Sequence, residues 1–288
     1  MNTLPGLNAR QLKVIALLCM TLDHLASFGF EIPLFATLYT PLRIVGRIAA
    51  PMFLFLLVQS ARHTRSRIKF LLRLYLAGVG TGLFSAVTNF FLGETLGYST
   101  PGNIIFTFFY TVLYIHLGEM LLNALRSRKW KALLLPLLFL ALSFLPNLLY
   151  FRLSPPVDIP VRYQMLINGL RDSFLPATRW ETVPDYGLPF VVLGVVMYFF
   201  RTPGRQISVF AVFCVLCLAG TVLRILFPAV DALPFAATYF SSLQCWMVLA
   251  IPFLCLYNGQ KGGGSKWFFY AYYPLHRYII FALSFFWK

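Results

Sequence analysis

Nine stretches of mainly apolar residues divide this chain, and most are about as long as a helix that crosses a lipid bilayer. Such a helix takes about 20 residues, because the hydrocarbon core is about 30 Å thick and a helix rises about 1.5 Å per residue. The stretches cover residues 12–30, 42–61, 70–92, 103–125, 132–150, 186–200, 207–227, 234–257 and 267–287. The sixth is short for a span. The sequence therefore predicts an all-α integral membrane protein, a polytopic bundle of about nine transmembrane helices in a single domain over residues 1–288.

The composition excludes the soluble alternatives. Of the 288 residues, 59% are hydrophobic and 11% are charged, whereas a soluble domain has about 45–50% apolar and about 25% charged residues. An ordinary cytosolic enzyme, a disordered tail and a disulfide-stapled secreted module are therefore excluded. The first stretch is interpreted as a retained helix rather than a signal peptide, because it contains Asp23 and His24 and no A-x-A cleavage site follows it.

The net charge of +15 is distributed unevenly between the two predicted sides of the membrane. With the N-terminus inside, the outer segments and spans hold all nine acidic residues, and the inner segments hold none. An excess of Lys and Arg marks cytoplasmic loops, so the chain is predicted to be N-in and C-out, with no nucleic-acid partner. The inner basic residues are Arg10, Lys13, Arg62, Arg65, Arg67, Lys69, Arg126, Arg128, Lys129, Lys131, Arg201, Arg205, Lys261 and Lys266.

Several ionisable or polar side chains lie within the apolar stretches at a shared depth. Such groups are costly in a bilayer and usually functional. His24 lies about 18 Å from the inner end of its stretch, and Arg47 lies about 7 Å from the outer end of the next one. The same count puts His276 near the midplane. We expect one cavity, open to the outer side, to be lined by Asp23, His24, Arg43, Arg47, Asn103, Thr107 and His276.

The spacing of these residues assigns candidate roles. Arg43 and Arg47 are four residues apart and share a helix face, so they form a clamp for a carboxylate, a phosphate or a developing oxyanion. Asp23 and His24 are adjacent and do not face each other, so Asp23 is expected to pair with Arg47 or with a cation of another span. His24 is the best candidate for a general base, because imidazole titrates near neutral pH.

Two further groups of residues each leave two interpretations open. The inner basic residues Arg62, Arg65, Arg67 and Lys69 either only orient the chain or also bind the phosphates of a cytosolic donor such as coenzyme A. Arg73 either binds substrate or places its charge at the membrane interface.

Two other features carry less information about function. The long outer segment 151–185 is either a surface cap or a lid over the acceptor site. Cys214 and Cys217 have C-x-x-C spacing but no second pair or His nearby, so they are interpreted as buried small hydrophobes, and no metal is expected.

Taken together, these motifs resemble the TraX family of membrane proteins. The resemblance covers most of the chain and is densest in residues 12–110 and 267–280. Its more specific part is the ordered combination of D-H, R-x-x-G-R-x-x-x-P and Y-P-L-H. It is carried by the segments Lys13–His24, Arg43–Phe53, His63–Thr64, Arg73–Leu74, Asn103–Thr107 and Tyr273–His276.

The resemblance implies an acyltransferase-3-like fold and activity in a bacterial inner membrane. The family activity is N-terminal acetylation of conjugative pilin, and the wider relatives modify surface glycans. An acetyl group from cytosolic acetyl-CoA would thus reach an outer peptide amine or glycan hydroxyl. The resemblance places His24 in the catalytic constellation with Asp23, Arg43 and Arg47.

Further roles and rival functions remain open at this point. Under the acyltransferase hypothesis, Asn103, Thr107, Tyr273 and His276 orient the reacting groups. The alternative function is a proton-coupled secondary transporter that uses Asp23, His24 and Glu119 as proton relays. A non-enzymatic assembly scaffold is the third, but it leaves the polar cluster at one depth unexplained.

Overall fold

Helices make up most of the described structure. The computed structural model describes residues 6–29, 32–96, 103–176, 186–233, 236–263, 266–284 and 286. Within these ranges the only strand-like pairing is one isolated bridge, between Leu7 and Tyr257. The main helices are α1 (Ala9–Phe28), α2 (Tyr39–Gly46), α3 (Ala49–His63), α4 (Arg67–Thr88), α5 (Ile104–Arg126), α6 (Leu134–Ser143), α7 (Val161–Phe174), α8 (Gly187–Phe199), α9 (Pro203–Leu226), α10 (Ser242–Cys255, interrupted by a 3-10 turn) and α11 (Lys266–Ser284).

Helical structure occupies all nine stretches that the sequence marks as candidate spans. Six segments of the described chain are long and apolar enough to cross a membrane: Ala9–Phe28, Tyr39–His63, Arg67–Leu96, Ile104–Arg126, Trp130–Leu149 and Pro203–Leu226. The shorter apolar helices α8 and α10 occupy the sixth and eighth stretches, and α11 occupies the ninth. The prediction of an all-helical, multi-pass membrane protein is confirmed.

The chain divides into two compact units, and the first consists of Met1–Gln59 and Phe199–Lys288. In this unit α1 packs against α2 and α11, and α9 packs against α10. The start of the chain is tied to the turn after α10, because Leu7 N–H donates to the Leu256 carbonyl oxygen (2.7 Å) and Asn258 N–H donates to the Leu7 carbonyl oxygen (2.9 Å). The entry to α1 and the end of α10 therefore lie side by side.

The second unit is Ser60–Tyr198, and its main feature is a helix within the predicted outer segment. Helix α7 runs along α4, where small residues allow close packing: a Cβ added to Gly169 would lie 2.5 Å from the Cβ of Ala86. At its end, the Tyr75 hydroxyl donates to the Phe174 carbonyl oxygen (3.0 Å). Tyr75 lies about 12 Å along α4 from Arg67. The outer segment thus packs along α4 from Ala86 to Tyr75, toward the start of that helix. Its residues 177–185 lie outside the described ranges.

The break between α2 and α3 positions the arginine pair. The helix ends at Gly46, and the chain turns at Arg47 and Ile48 before α3 begins. Pro51 lies in the first turn of α3, where backbone N–H groups have no partner within the helix, so its missing N–H costs little. Arg43 and Arg47 are therefore on the last turn of one helix and in the turn that follows it.

Candidate functional site

Asp23 of α1 binds both arginines of the predicted clamp. Arg43 Nη1 donates to Asp23 Oδ2 (2.8 Å), and Arg47 Nη2 donates to Asp23 Oδ1 (3.1 Å). The three side chains are only 14–21% exposed. The predicted pairing of Asp23 with Arg47 is confirmed, and Arg43 is a second partner. One carboxylate facing two guanidinium groups leaves a net positive charge in a largely desolvated place.

Gly46 allows this cluster to form. A Cβ added to Gly46 would lie 2.3 Å from both the Cβ and the Oδ1 atom of Asp23. Any other residue would push the end of α2 away from α1, so the glycine within the R-x-x-G-R motif has a packing reason to be there.

Helix α10 adds an amide that the sequence analysis missed. Arg47 Nη1 donates to Gln244 Oε1 (3.3 Å), and Gln244 is only 3% exposed. The available signal was the single side-chain amide of a mainly apolar stretch. Arg43 Nε is buried and has no hydrogen-bond partner among the described residues, so it is a donor available to a ligand.

His24 and His276 form a direct hydrogen bond between α1 and α11. His24 Nδ1 lies 2.9 Å from His276 Nε2, and His276 Nδ1 lies 2.7 Å from the carbonyl oxygen of Tyr272. The two rings are tilted by only 20° with centroids 5.1 Å apart, so their facing nitrogen atoms point at each other. His276 is buried, whereas His24 is partly exposed.

This chain of contacts assigns the tautomers of the two neutral rings. The carbonyl oxygen of Tyr272 can only accept, so the proton of His276 is on Nδ1 and its Nε2 is an acceptor. His24 must then donate from Nδ1. The lone pair of His24 is consequently on Nε2, on the side of the ring away from His276, which is the arrangement that a base or nucleophile requires.

Tyr272 also holds the pair of helices together. Its ring stacks on His276 with centroids 5.0 Å apart and planes at 11°. The hydroxyl of Thr21 donates to the Leu17 carbonyl oxygen, so it accepts from the Tyr272 hydroxyl at 2.9 Å. Tyr272 was not singled out from the sequence, although it lies four residues before His276 and so shares its helix face.

Further positive charge lies close to His24. Arg277 is 2% exposed and, with Arg43 and Arg47, interacts electrostatically with His24. The predicted residue Tyr273 accepts a long hydrogen bond from Arg277 Nη1 (3.4 Å), and its ring centroid is 6.3 Å from that of His276. The structure thus places Arg277 beside the two histidines.

The predicted residues Asn103 and Thr107 belong to the second unit. Asn103 caps α5, because its Oδ1 accepts from Ile105 N–H (3.1 Å) and its Nδ2 donates to the Gly78 carbonyl oxygen (2.8 Å). Thr107 is fully buried. Asn103 therefore fixes the start of α5 against α4, and its role in orienting substrate stays a prediction.

The four predicted phosphate-binding residues separate into two groups. Arg67 pairs with Glu119 (3.0 Å) and bonds the Tyr198 hydroxyl, while Arg62 donates to the Tyr198 carbonyl oxygen. Both guanidinium groups lie about 5 Å from the Tyr198 ring centroid. Arg65 and Lys69 instead line an open pocket together with Arg73.

Neither metal chemistry nor a thiol pair finds support in the described ranges. No three His, Cys, Asp or Glu side chains come together there as a metal site. Cys214 and Cys217 are buried and unbridged.

Comparison with known proteins identifies the family. The model of the TraX protein family matches residues 8–151 and 177–284. The chain belongs to the TraX family. Its similarity to a protein named "Probable fimbrial assembly protein FimC, serogroup H1" of Dichelobacter nodosus is 30% identity over 282 residues, covering 93% of this chain and 92% of that protein. No solved structure matches the chain. The family match leaves out residues 152–176, which include all of α7.

Proposed function

We propose that this protein is a membrane acetyltransferase that carries an acetyl group from cytosolic acetyl-CoA to an acceptor on the outer side. The observation that carries the proposal is the Tyr272–His276–His24 chain of hydrogen bonds beside the Asp23 cluster. An oriented imidazole with its lone pair directed away from its partner suits proton abstraction. Guanidinium groups in excess of carboxylate suit the oxyanion of acyl transfer.

In the proposed reaction the acceptor amine or hydroxyl attacks the thioester carbonyl carbon while its proton passes to Nε2 of His24. Arg43 and Arg47 stabilise the oxyanion that forms, and the buried Nε of Arg43 is one donor for it. The carbon–sulfur bond then breaks, and the proton on Nε2 passes to the departing thiolate. The products are the acetylated acceptor and free coenzyme A.

A second route uses the same atoms in a different order. Nε2 of His24 attacks the thioester carbonyl carbon, and the carbon–sulfur bond breaks to release the thiolate of coenzyme A. The acceptor then attacks the acetyl carbon, the bond from that carbon to Nε2 breaks, and the proton of the acceptor passes to the thiolate. The assigned lone pair on Nε2 serves both routes. Under either one, His276 is a positioning residue, and Tyr273, Asn103 and Thr107 remain proposed orienting residues.

The proposed acceptor is the N-terminal amine of a pilin-like peptide, with a surface glycan hydroxyl as the other candidate. Membership of the TraX family, whose known activity is pilin acetylation, supports the peptide. The printed name of the Dichelobacter nodosus relative, a fimbrial assembly protein, points the same way.

The proposed topology is a single acyltransferase-3-like domain of nine spans, N-in and C-out. It is supported by the hydrogen bonds of Leu7 with Leu256 and Asn258, which join two segments that the topology puts on the same, inner side. The charge distribution of the loops supports the same orientation.

A proton-coupled transporter finds less support than an enzyme. Asp23 is bound by two guanidinium groups, and Glu119 is paired with Arg67. Each acid that the relay would need is therefore held in an ion pair rather than left to carry protons.

The test is transfer of labelled acetyl from acetyl-CoA by the purified full-length protein. The acceptor is a synthetic peptide with a free N-terminus, and the control is the same peptide with a blocked N-terminus. We expect labelling of the free peptide alone and loss of transfer in His24→Ala. Full activity of that variant would remove His24 from the mechanism. Uptake driven by a pH gradient without acetyl-CoA would favour the transporter.

A further inference from the structure

An open pocket lies at the start of α4, within the second unit. It has a volume of about 490 Å³, which falls within the range typical of small-ligand sites. Three of the six lining residues are cationic and two carry hydroxyl groups: Thr64, Arg65, Ser66, Lys69, Leu72 and Arg73. No acidic side chain lines it.

The three cations of this pocket are not used in ion pairs. Arg65, Lys69 and Arg73 are exposed, and no carboxylate in the described ranges pairs with any of them. This separates them from Arg67, which pairs with Glu119 in the same unit. The orientation of the chain requires only that such charges face the cytoplasm. It does not require three of them around one concavity.

The geometry around Arg73 prepares it for an anion. Its Nε donates to the Lys69 carbonyl oxygen (3.2 Å), and its guanidinium group lies 5.7 Å from the Phe70 ring centroid. Lys69 and Arg73 are four residues apart on α4 and share a helix face. A planar guanidinium with both terminal nitrogens available, beside an ammonium group, is the pairing that recognises phosphate.

We propose that this pocket binds the phosphate groups of the nucleotide part of the acyl donor. Arg65, Lys69 and Arg73 supply the charge, and the Thr64 and Ser66 hydroxyls supply further donors. This inference rests on the proposed function, since it names the donor's docking site. It replaces Arg62 and Arg67 of the sequence prediction by Arg73, because those two arginines hold the Glu119–Tyr198 contact.

The test compares two donors that carry the same thioester. Acetyl-CoA has the phosphates, and S-acetylpantetheine has none. The full-length protein is assayed in nanodiscs of neutral phosphatidylcholine as wild type, as R65A/K69A/R73A, and as the matched control R126A/K129A/K131A. The control removes three exposed inner cations of the same unit that lie outside the pocket.

We expect R65A/K69A/R73A to lower kcat/KM for acetyl-CoA about thirtyfold, because charge-assisted hydrogen bonds to phosphate are lost. Its kcat/KM for S-acetylpantetheine should stay within about twofold of wild type, since that donor makes none of these bonds. The control variant should match wild type with both donors. An equal loss with both donors, or no loss with acetyl-CoA, would overturn the proposal.

Two further outcomes are distinguishable. The same phosphate chemistry is found in anionic lipid headgroups. If the pocket variant keeps wild-type kinetics but no longer gains thermal stability from added phosphatidylglycerol, the pocket binds lipid and the donor assignment is wrong. If wild type transfers acetyl from neither donor, the proposed function fails. The pocket is then tested alone by titration with coenzyme A, whose binding R65A/K69A/R73A should lose.

Discussion

His24 Nδ1 lies 2.9 Å from His276 Nε2, and this contact determines which nitrogen of His24 can react. The backbone carbonyl of Tyr272 fixes the proton of His276 on Nδ1. In a Ser-His-Asp triad a carboxylate orients the base. Here a second neutral imidazole does so, and the neighbouring carboxylate, Asp23, is committed to two arginines instead.

The orienting role of His276 predicts graded losses of activity. His276→Ala should lower kcat for acetyl transfer by about 10²–10³, within the range for a misdirected general base. His276→Gln should keep activity within about tenfold of wild type, because its Oε1 can accept from His24 Nδ1–H near the position of Nε2. Steady-state kinetics on purified protein measures both. Equal activity of the two variants would show that a hydrogen-bond acceptor for His24 Nδ1–H is not needed for activity.

Close packing at Gly46 predicts that even one methyl group is harmful. Gly46→Ala should destabilise the protein by about 1–3 kcal/mol, because its Cβ would overlap Asp23. Gly80→Ala is the matched control, since nothing lies within 4 Å of its added Cβ and alanine is the better helix former. Thermal unfolding in detergent compares the two. Equal unfolding temperatures of the two variants would contradict the requirement for glycine at position 46.

The Asp23 cluster predicts that folding and activity can be separated. Asp23→Asn leaves two guanidinium groups without their carboxylate. It should cost about 2–3 kcal/mol, less than the roughly 3–5 kcal/mol of a fully buried pair because the groups keep some exposure. The double variant Asp23→Asn/Arg43→Gln returns the cluster to its wild-type net charge and should recover part of the lost stability but not acetyl transfer. Recovery of both would mean that Arg43 serves the fold alone.

Much of the fold could be predicted from the sequence, because apolar length and loop charge are local properties. The nine helical stretches and the pairing of Asp23 with Arg47 follow from spacing and from the cost of burying charge. The partners from other helices could not be predicted in this way. Gln244 and Tyr272 reach the site only through the packing of α10 and α11, and the local pattern of one sequence does not show which helix faces meet.

The inner basic residues show the same limit. Sequence treats Arg62, Arg65, Arg67 and Lys69 as one patch because they are neighbours in the chain. In the structure two of the four have partners on other helices. Arg62 bonds Tyr198 of α8, and Arg67 pairs with Glu119 of α5. Their division depends on contacts more than 50 residues away in sequence.

The hydrogen bonds of Leu7 with Leu256 and Asn258 put the two segments on one side of the membrane, and the loop charges predict that this side is the cytoplasm. In a variant with its five cysteines replaced by serine, Lys261→Cys should resist a membrane-impermeant maleimide added to intact cells. Pro155→Cys, in the outer segment, should be labelled. Permeabilised cells provide the control in which both react. Labelling of Lys261→Cys in intact cells would contradict the proposed N-in orientation.

Helix α7 lies outside the family match, yet it packs along α4, and this predicts a specific crosslink. Cysteines placed at Ala86 and Gly169 should form a disulfide in the cysteine-free background. Their Cβ atoms would face each other at 2.5 Å, so a shift of about 1 Å between the helices brings them to the roughly 3.5–4.5 Å of a disulfide. The control pair places cysteines at Gly80 and Gly169. Gly80 lies about 9 Å from Ala86 along α4, toward the start of the helix, so this pair should stay reduced. Gel electrophoresis without reductant measures the crosslinking of both pairs as a shift in mobility. If the 80–169 pair links as readily as the 86–169 pair, α7 does not hold this register and residues 152–176 move freely over α4.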